Sequence, residues 1–136
     1  MHALDLETSS ISGDLSDYMA LEPWRARQGK GFISSLHVYG DVHDIHIRRP
    51  TRDQLIEVLE KLRGEEVYAH FALFDVAWLI ASIEPNKLAR LHSAIKGVRW
   101  RDTALLCLGA DHRHLFWHLF VGVRGRRHRH VAGHPP

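Results

Sequence analysis

The segment HALDLET, residues 2–8, decides the fold of this chain, because it is an apolar run with carboxylates at alternate positions. In a β-strand, residues i and i+2 point to the same face, so we expect Asp5 and Glu7 side by side. Two like charges at that spacing resist joint ionisation unless a cation neutralises them. Oxygen-preferring ions such as Mg²⁺ or Mn²⁺ suit such a pair. A buried strand with a solvated edge is the alternative interpretation of this segment alone.

A second apolar segment, residues 67–80, contains one further acidic residue. Its first part, VYAH, predicts a short strand, and residues 71–80 continue as an apolar helix. Asp75 lies one turn inside this helix, among apolar neighbours that leave little room for a polar face. A buried carboxylate needs a partner or a metal ion. Asp75 is therefore the third candidate of the site, with a helix face turned to water as the alternative.

Together with a third segment, WRDTALL at residues 100–106, these stretches resemble the 3′–5′ exonucleases of the DEDD class in the RNase H-like superfamily. Residues 3–8 and 69–75 are similar to the first two exonuclease motifs of the proofreading domains of family A DNA polymerases, of the phage type. The resemblance covers residues 2–108. It implies an α/β fold: an RNase H-like mixed sheet with flanking helices, C-terminally incomplete because the chain is truncated before the third motif.

The resemblance also implies an activity, the metal-dependent hydrolysis of 3′-terminal nucleotides from single-stranded DNA. Two divalent ions, Mg²⁺ or Mn²⁺, would be the cofactors, held by Asp5, Glu7 and Asp75 as catalytic residues. Phe71 lies beside the site, and we expect it to pack in the core, with stacking on a base of the single strand as the alternative. The implied partners are a single-stranded DNA 3′ end and a DNA polymerase domain or subunit. Substrate-binding roles fall to three residues: Thr8, His70 and Phe71.

Two departures from the family pattern bear on activity. Phe71 stands where the family usually has Asn. The third motif, a Tyr or His followed four positions later by Asp, has no counterpart, because no acidic residue follows Asp111. We expect Asp102 to cap the next helix rather than to bind metal. The alternative function is a non-catalytic module with a degenerate exonuclease fold, which binds nucleic acid or a polymerase.

Charge divides the chain into residues 1–111 and residues 112–136. The first part holds all 16 acidic residues and 13 of the 18 Lys and Arg, so its net charge is −3. The last 25 residues hold five Arg and six of the 12 His. We expect a partial exonuclease domain over 1–111. For the basic tail, three explanations stay open: contact with phosphates, transition-metal binding by its histidines, and a disordered or out-of-frame translated segment.

Cysteine content and hydropathy restrict the class of protein. A single cysteine, Cys107, excludes an intrachain disulfide and fits a reducing compartment. No leader pattern precedes the first strand, and the apolar runs are shorter than the ~20 residues of a membrane helix. We therefore expect a cytoplasmic protein of a bacterial or phage-infected host cell, with no membrane partner.

The remaining sequence predicts an α/β order of elements. Residues 9–30 predict a surface loop. Residues 31–39 and 43–47 alternate apolar and polar positions and predict an antiparallel hairpin, with its three histidines facing solvent. Residues 51–54 have the form of a capping box, which begins an amphipathic helix that ends before Gly64. Two further elements follow: a helix over residues 87–96 and a strand over residues 98–100.

Overall fold

The structure, a computed structural model, describes residues 1–11 and 22–107. The strands in this part are β1 (His2–Ser10), β2 (Gly31–Gly40), β3 (Ile45–Arg48), β4 (Glu66–Ala69) and β5 (Arg99–Asp102). The helices are α1 (Trp24–Arg27), α2 (Arg52–Lys61), α3 (Ala72–Ser82), α4 (Leu88–Gly97) and α5 (Thr103–Cys107), with a short 3-10 helix, Pro85–Lys87, before α4. No helix within these ranges has the length and hydropathy needed to cross a lipid bilayer. The predictions made for the basic tail fall outside the described residues.

The five strands form one mixed sheet in the order β3-β2-β1-β4-β5. β2 runs antiparallel to both β1 and β3, whereas β4 and β5 run parallel to β1. β4 pairs only with the first residues of β1, His2 and Ala3. The later residues of β1 therefore have no strand partner on that side among the described residues. The predicted α/β class and the predicted hairpin are confirmed.

Strand alternation gives the sheet a covered face and an open face. On β1, Leu4 and Leu6 are buried, whereas Asp5 and Glu7 are exposed, so the predicted placement of both carboxylates on one face is confirmed. The covered face packs against α2, α3 and α4 in a single hydrophobic core. Buried core residues from the other strands and from α3 include Leu36, Val38, Val67, Val76 and Trp78.

Helix α2 begins and ends as the sequence predicts. The Thr51 hydroxyl accepts a hydrogen bond from the Gln54 N–H at 3.2 Å, and the Gln54 side-chain oxygen accepts one from the Thr51 N–H at 2.8 Å. This reciprocal cap satisfies backbone donors that have no partner inside the helix. Gly64 follows the helix with a φ of +77°, a left-handed conformation that favours glycine.

The structure differs from the prediction of a surface loop over residues 9–30. β1 continues to Ser10, because Ser9 and Ser10 pair with the first residues of β2. Sheet pairing here overrides the weak strand propensity of the two serines. The short helix α1 then packs against α3 and β2. The prediction was wrong at both ends of the segment, where tertiary contacts order polar sequence.

A buried His2 ring explains why residue 40 is a glycine. His2 is 1% exposed, and its Nε2 accepts a hydrogen bond from the His43 N–H at 3.2 Å. His43 is accordingly half-buried beside the His2 ring rather than fully solvent-facing as predicted. A Cβ at position 40 would lie 2.2 Å from His2 Cδ2 and 2.7 Å from the Met1 carbonyl oxygen. Any side chain at this position would displace the start of β1.

We expect Gly40→Ala to lower the free energy of unfolding by about 1–3 kcal/mol, the usual cost of overpacking. Urea unfolding of the full chain measures this difference. Val42→Ala, an exposed position in the same turn, serves as the control and should stay close to wild type. Equal stability of Gly40→Ala and wild type would contradict the packing role of His2.

Candidate functional site

Asp75 lies at the free edge of β1. Helix α3 starts directly after β4 ends, and its first turn brings Asp75 to the part of β1 that β4 leaves unpaired. There the Leu6 N–H donates a hydrogen bond to the Asp75 carboxylate, which also accepts one from its own N–H. The side chain is buried, with an exposure of 3%. The predicted burial of this carboxylate is confirmed, and its hydrogen-bond donors are backbone groups.

The pKa of Asp75 is raised to about 7. Burial is the main cause, because it disfavours the charged form, and the like charge of Asp5 is the second. The charge of Asp102 adds to the effect, while the hydrogen bonds from Leu6 and from the residue's own backbone oppose it. Near neutral pH, Asp75 is therefore divided between its protonated and ionised forms.

The other two predicted carboxylates approach this edge from the open face. Asp5 lies near enough to Asp75 to raise its pKa, whereas Glu7 is not among the groups that shift it. The structure thus brings Asp5 and Asp75 together and leaves Glu7 two residues along β1 on the same face as Asp5. Across residues 1–11 and 22–107, no group of three or more His, Cys, Asp or Glu residues is close enough to hold a metal ion.

Asp102 fixes the start of α3, a role that the sequence anticipated only in part. Its buried carboxylate accepts hydrogen bonds from the N–H groups of Phe71 at 3.2 Å and of Ala72 and Ala104 at 2.9 Å. The bond from Ala104 confirms the predicted cap on α5. The other two satisfy donors at the N-terminus of α3, where a negative charge also favours the helix dipole. With three backbone donors, Asp102 is a structural residue.

Phe71 is exposed and held in a strained backbone conformation. Its φ of 57° and ψ of 54° lie in the left-handed region, where a bulky residue is rare. The side chain is 63% exposed. The core-packing interpretation of Phe71 is therefore wrong: the left-handed turn into α3, held by Asp102, leaves the ring in solvent. Strained residues of this kind concentrate at functional sites.

The remaining predicted substrate residues flank this turn and the end of β1. His70 is exposed, and its Nδ1 lies 2.9 Å from the Thr103 hydroxyl. The His70 ring meets Phe71 edge-on, with ring centroids 5.6 Å apart. Thr8 is half-buried and follows an irregularity in the pairing of β1 with β2. His70 and Phe71 thus form one aromatic pair at the N-terminus of α3, separate from Thr8.

Comparison of this chain with known protein families, curated proteins and solved structures finds no match. The resemblance to proofreading exonucleases therefore stands on the three sequence segments alone. A fold class does not by itself assign a function.

The raised pKa of Asp75 predicts that stability depends on pH. An unfolded Asp titrates near 3.8, so the folded chain holds a proton that the unfolded chain has released between that pH and about 7. The contribution is fully present below about pH 4 and is lost as pH rises through 7. Asp75→Asn cannot ionise, so we expect it to exceed wild type at pH 8 by roughly 2–4 kcal/mol.

Urea unfolding in EDTA, at several pH values between 4.5 and 8, measures this difference. Asp44→Asn removes an exposed carboxylate from the hairpin and should follow the wild-type curve. Parallel pH profiles of wild type and Asp75→Asn would show that the pKa of the Asp75 carboxyl is not raised.

The strain at residue 71 gives a second prediction for stability. Asn adopts the left-handed region far more readily than Phe, and the exposed ring contributes little burial. We expect Phe71→Asn to raise the free energy of unfolding by about 1 kcal/mol, measured by thermal unfolding. Leu73→Asn, a 47% exposed position in the first turn of α3, should give no such gain. A destabilised Phe71→Asn would mean that the ring packs in the folded chain.

Proposed function

We propose that this chain is a metal-dependent 3′–5′ exonuclease with an RNase H-like fold, acting on the 3′ ends of single-stranded DNA. The observation that carries the proposal is the pairing of Asp5 with buried Asp75 at the free edge of β1. Two like charges, one of them buried, are costly to hold together unless a proton or a cation neutralises them. The five-stranded mixed sheet with its helices is compatible with this fold.

The residues at this edge fit a divalent cation by their chemistry. Carboxylate oxygens are the ligands that Mg²⁺ and Mn²⁺ prefer. Because the pKa of Asp75 is about 7, a cation bound beside it would keep this carboxylate ionised at neutral pH. Asp5 and Asp75 would be the first ligands, and Glu7, on the same face of β1, the third. When bound, such ions stabilise the attacking and leaving oxygens of a phosphodiester during displacement.

The side chains around the carboxylates would bind and orient the strand end. The exposed Phe71 ring would stack on the terminal base, an interaction worth about 1–3 kcal/mol per base in single-strand binding proteins. His70, hydrogen-bonded to Thr103, supports the edge of that ring. The Leu6 N–H orients the Asp75 carboxylate. Thr8 follows the carboxylates on β1 and would contact the terminal nucleotide.

A second candidate function is a non-catalytic module that binds nucleic acid or a polymerase. Two observations favour it: the described residues contain no cluster of three metal-ligating side chains, and no acidic residue follows Asp111 in the sequence. When several metal ligands act as a unit, the loss of one of them can remove most of the activity of an enzyme. A binding module would need neither Asp5 nor a divalent ion.

We expect the full chain to shorten 3′-terminal nucleotides of a labelled single-stranded DNA in Mg²⁺ or Mn²⁺, and not in EDTA. Asp5→Ala and Asp75→Asn should each lower the rate about 100-fold or more, because each removes a metal ligand. Asp44→Asn, which removes an exposed carboxylate between β2 and β3, is the matched control and should retain the wild-type rate.

The outcomes separate the two candidate functions. Metal-dependent shortening lost in both variants supports the exonuclease. Shortening that survives in both variants would overturn the assignment of the β1 edge as the site. A folded wild type that binds the strand without shortening it favours the binding module. Thermal unfolding with Mn²⁺ adds an independent measurement, since Mn²⁺ should raise the melting temperature of wild type and not of Asp5→Ala.

A further inference from the structure

The β2–β3 hairpin carries rings and cations on the open face of the sheet, beyond the proposed site. We call this group the hairpin platform. Its members are Phe32, His37, Tyr39, His46, Arg48 and Arg49. We propose that the hairpin platform binds a single-stranded nucleic acid, with its bases on the rings and its phosphates on the two arginines.

Three rings of the hairpin platform form a fixed stack. The rings of His37 and His46 are stacked with centroids 4.0 Å apart, and those of His37 and Tyr39 lie 5.8 Å apart. His37 is held between the Tyr39 hydroxyl at 2.8 Å and the Ser35 hydroxyl at 3.2 Å. His46 and Tyr39 are exposed. Rings fixed on a sheet surface are what single-strand binding proteins use to stack unpaired bases.

The two arginines supply positive charge that no described carboxylate neutralises. Arg48 and Arg49 are both exposed, and neither forms an ion pair with a residue in the described ranges. The Arg49 guanidinium lies over the Phe32 ring, 5.2 Å from its centroid. With Ser9 and Ser34, these three residues line a cleft of about 500 Å³. Hydroxyls and free guanidinium groups together are typical donors to phosphate oxygens.

The strand register joins the hairpin platform to the carboxylates. Neighbouring strands lie about 4.8 Å apart, so a residue on β3 is about 10 Å from the residue on β1 that lies in line with it across β2. A nucleic acid whose 3′ end lies at Asp5 would therefore cross β2 and reach the arginines at the end of β3. Two rows run across β1, β2 and β3 on the open face: Asp5–His37–His46 and Glu7–Ser35–Arg48.

The polarity of the bound strand rests on the proposed function, but binding itself does not. Stacking on the rings requires unpaired bases, so the occupant is a single strand rather than a duplex. The arginines contact only phosphates, so we expect little sequence preference. The hairpin platform would thus hold the strand while its end is processed, or would bind it without processing.

Fluorescence anisotropy of the full chain with a labelled 12-nucleotide DNA in EDTA tests the inference without hydrolysis. The variant Arg48→Ala/Arg49→Ala removes two charges from the hairpin platform. The matched control Lys61→Ala/Lys96→Ala removes two exposed charges from α2 and α4. We expect the platform variant to bind at least tenfold more weakly. Its slope of log K against log salt should be flatter by about 1.4, since each phosphate contact on a single strand contributes about 0.7.

His46→Ala keeps the charge count of the arginines and removes an exposed ring, so it tests stacking separately. We expect it to weaken binding at least fivefold with an unchanged salt slope. A duplex of the same length should compete poorly with the single strand. Circular dichroism shows whether each variant is folded. If the double arginine variant is unfolded, the binding of His46→Ala tests the inference instead.

Equal affinity of wild type and both platform variants would overturn the inference and would assign binding to the five tail arginines. Equal weakening in the platform and control variants would overturn it too, because total charge would then be responsible. If the wild type shortens no DNA but binds it, and the platform variants lose that binding, the hairpin platform is supported and the proposed function is wrong. If Arg48→Ala/Arg49→Ala binds and shortens DNA as the wild type does, the inference about the hairpin platform is wrong, and the proposed function still holds.

Discussion

The hydrogen bonds of the Asp102 carboxylate connect the end of β5 to the start of α3, and the position of the candidate site depends on them. They satisfy the N–H groups of Phe71 and Ala72, which the first turn of a helix cannot satisfy internally. The chain can therefore enter α3 through a left-handed residue directly after β4. This sharp turn directs the first turn of α3 along the free edge of β1, where Asp75 meets the Leu6 N–H.

This arrangement places like charges close together and so lowers the stability of the folded chain. Asp75 is buried beside Asp5, and its raised pKa expresses the free energy spent on keeping it ionised. A proton or a cation relieves that cost. Functional groups that strain the folded state are common where activity requires them. A buried carboxylate beside a like charge lowers stability unless a proton or a cation neutralises it, and this is why we propose a binding role for Asp75.

The two faces of the sheet differ in composition. The covered face is apolar and packs against three helices in one core. The open face presents acidic side chains on β1, and rings with exposed arginines on the β2–β3 hairpin. Antiparallel strands tolerate a solvated face, so the hairpin can carry exposed rings and cations without disturbing the core. We propose that recognition uses the open face, whereas folding uses the covered face, with buried Asp75 at the free edge of β1.

Short-range pattern was sufficient for much of this protein. Alternation placed Asp5 and Glu7 on one face, apolar neighbours indicated that Asp75 is buried, and the capping box and hairpin follow from spacing alone. The exposed ring of Phe71, the free edge of β1 and the row of side chains that reaches Arg48 came only from the tertiary structure. Their physical reason is common to all three. Each depends on strand order or on hydrogen bonds between residues far apart in the sequence, such as those from Phe71 and Ala72 to Asp102, and no local period records such contacts.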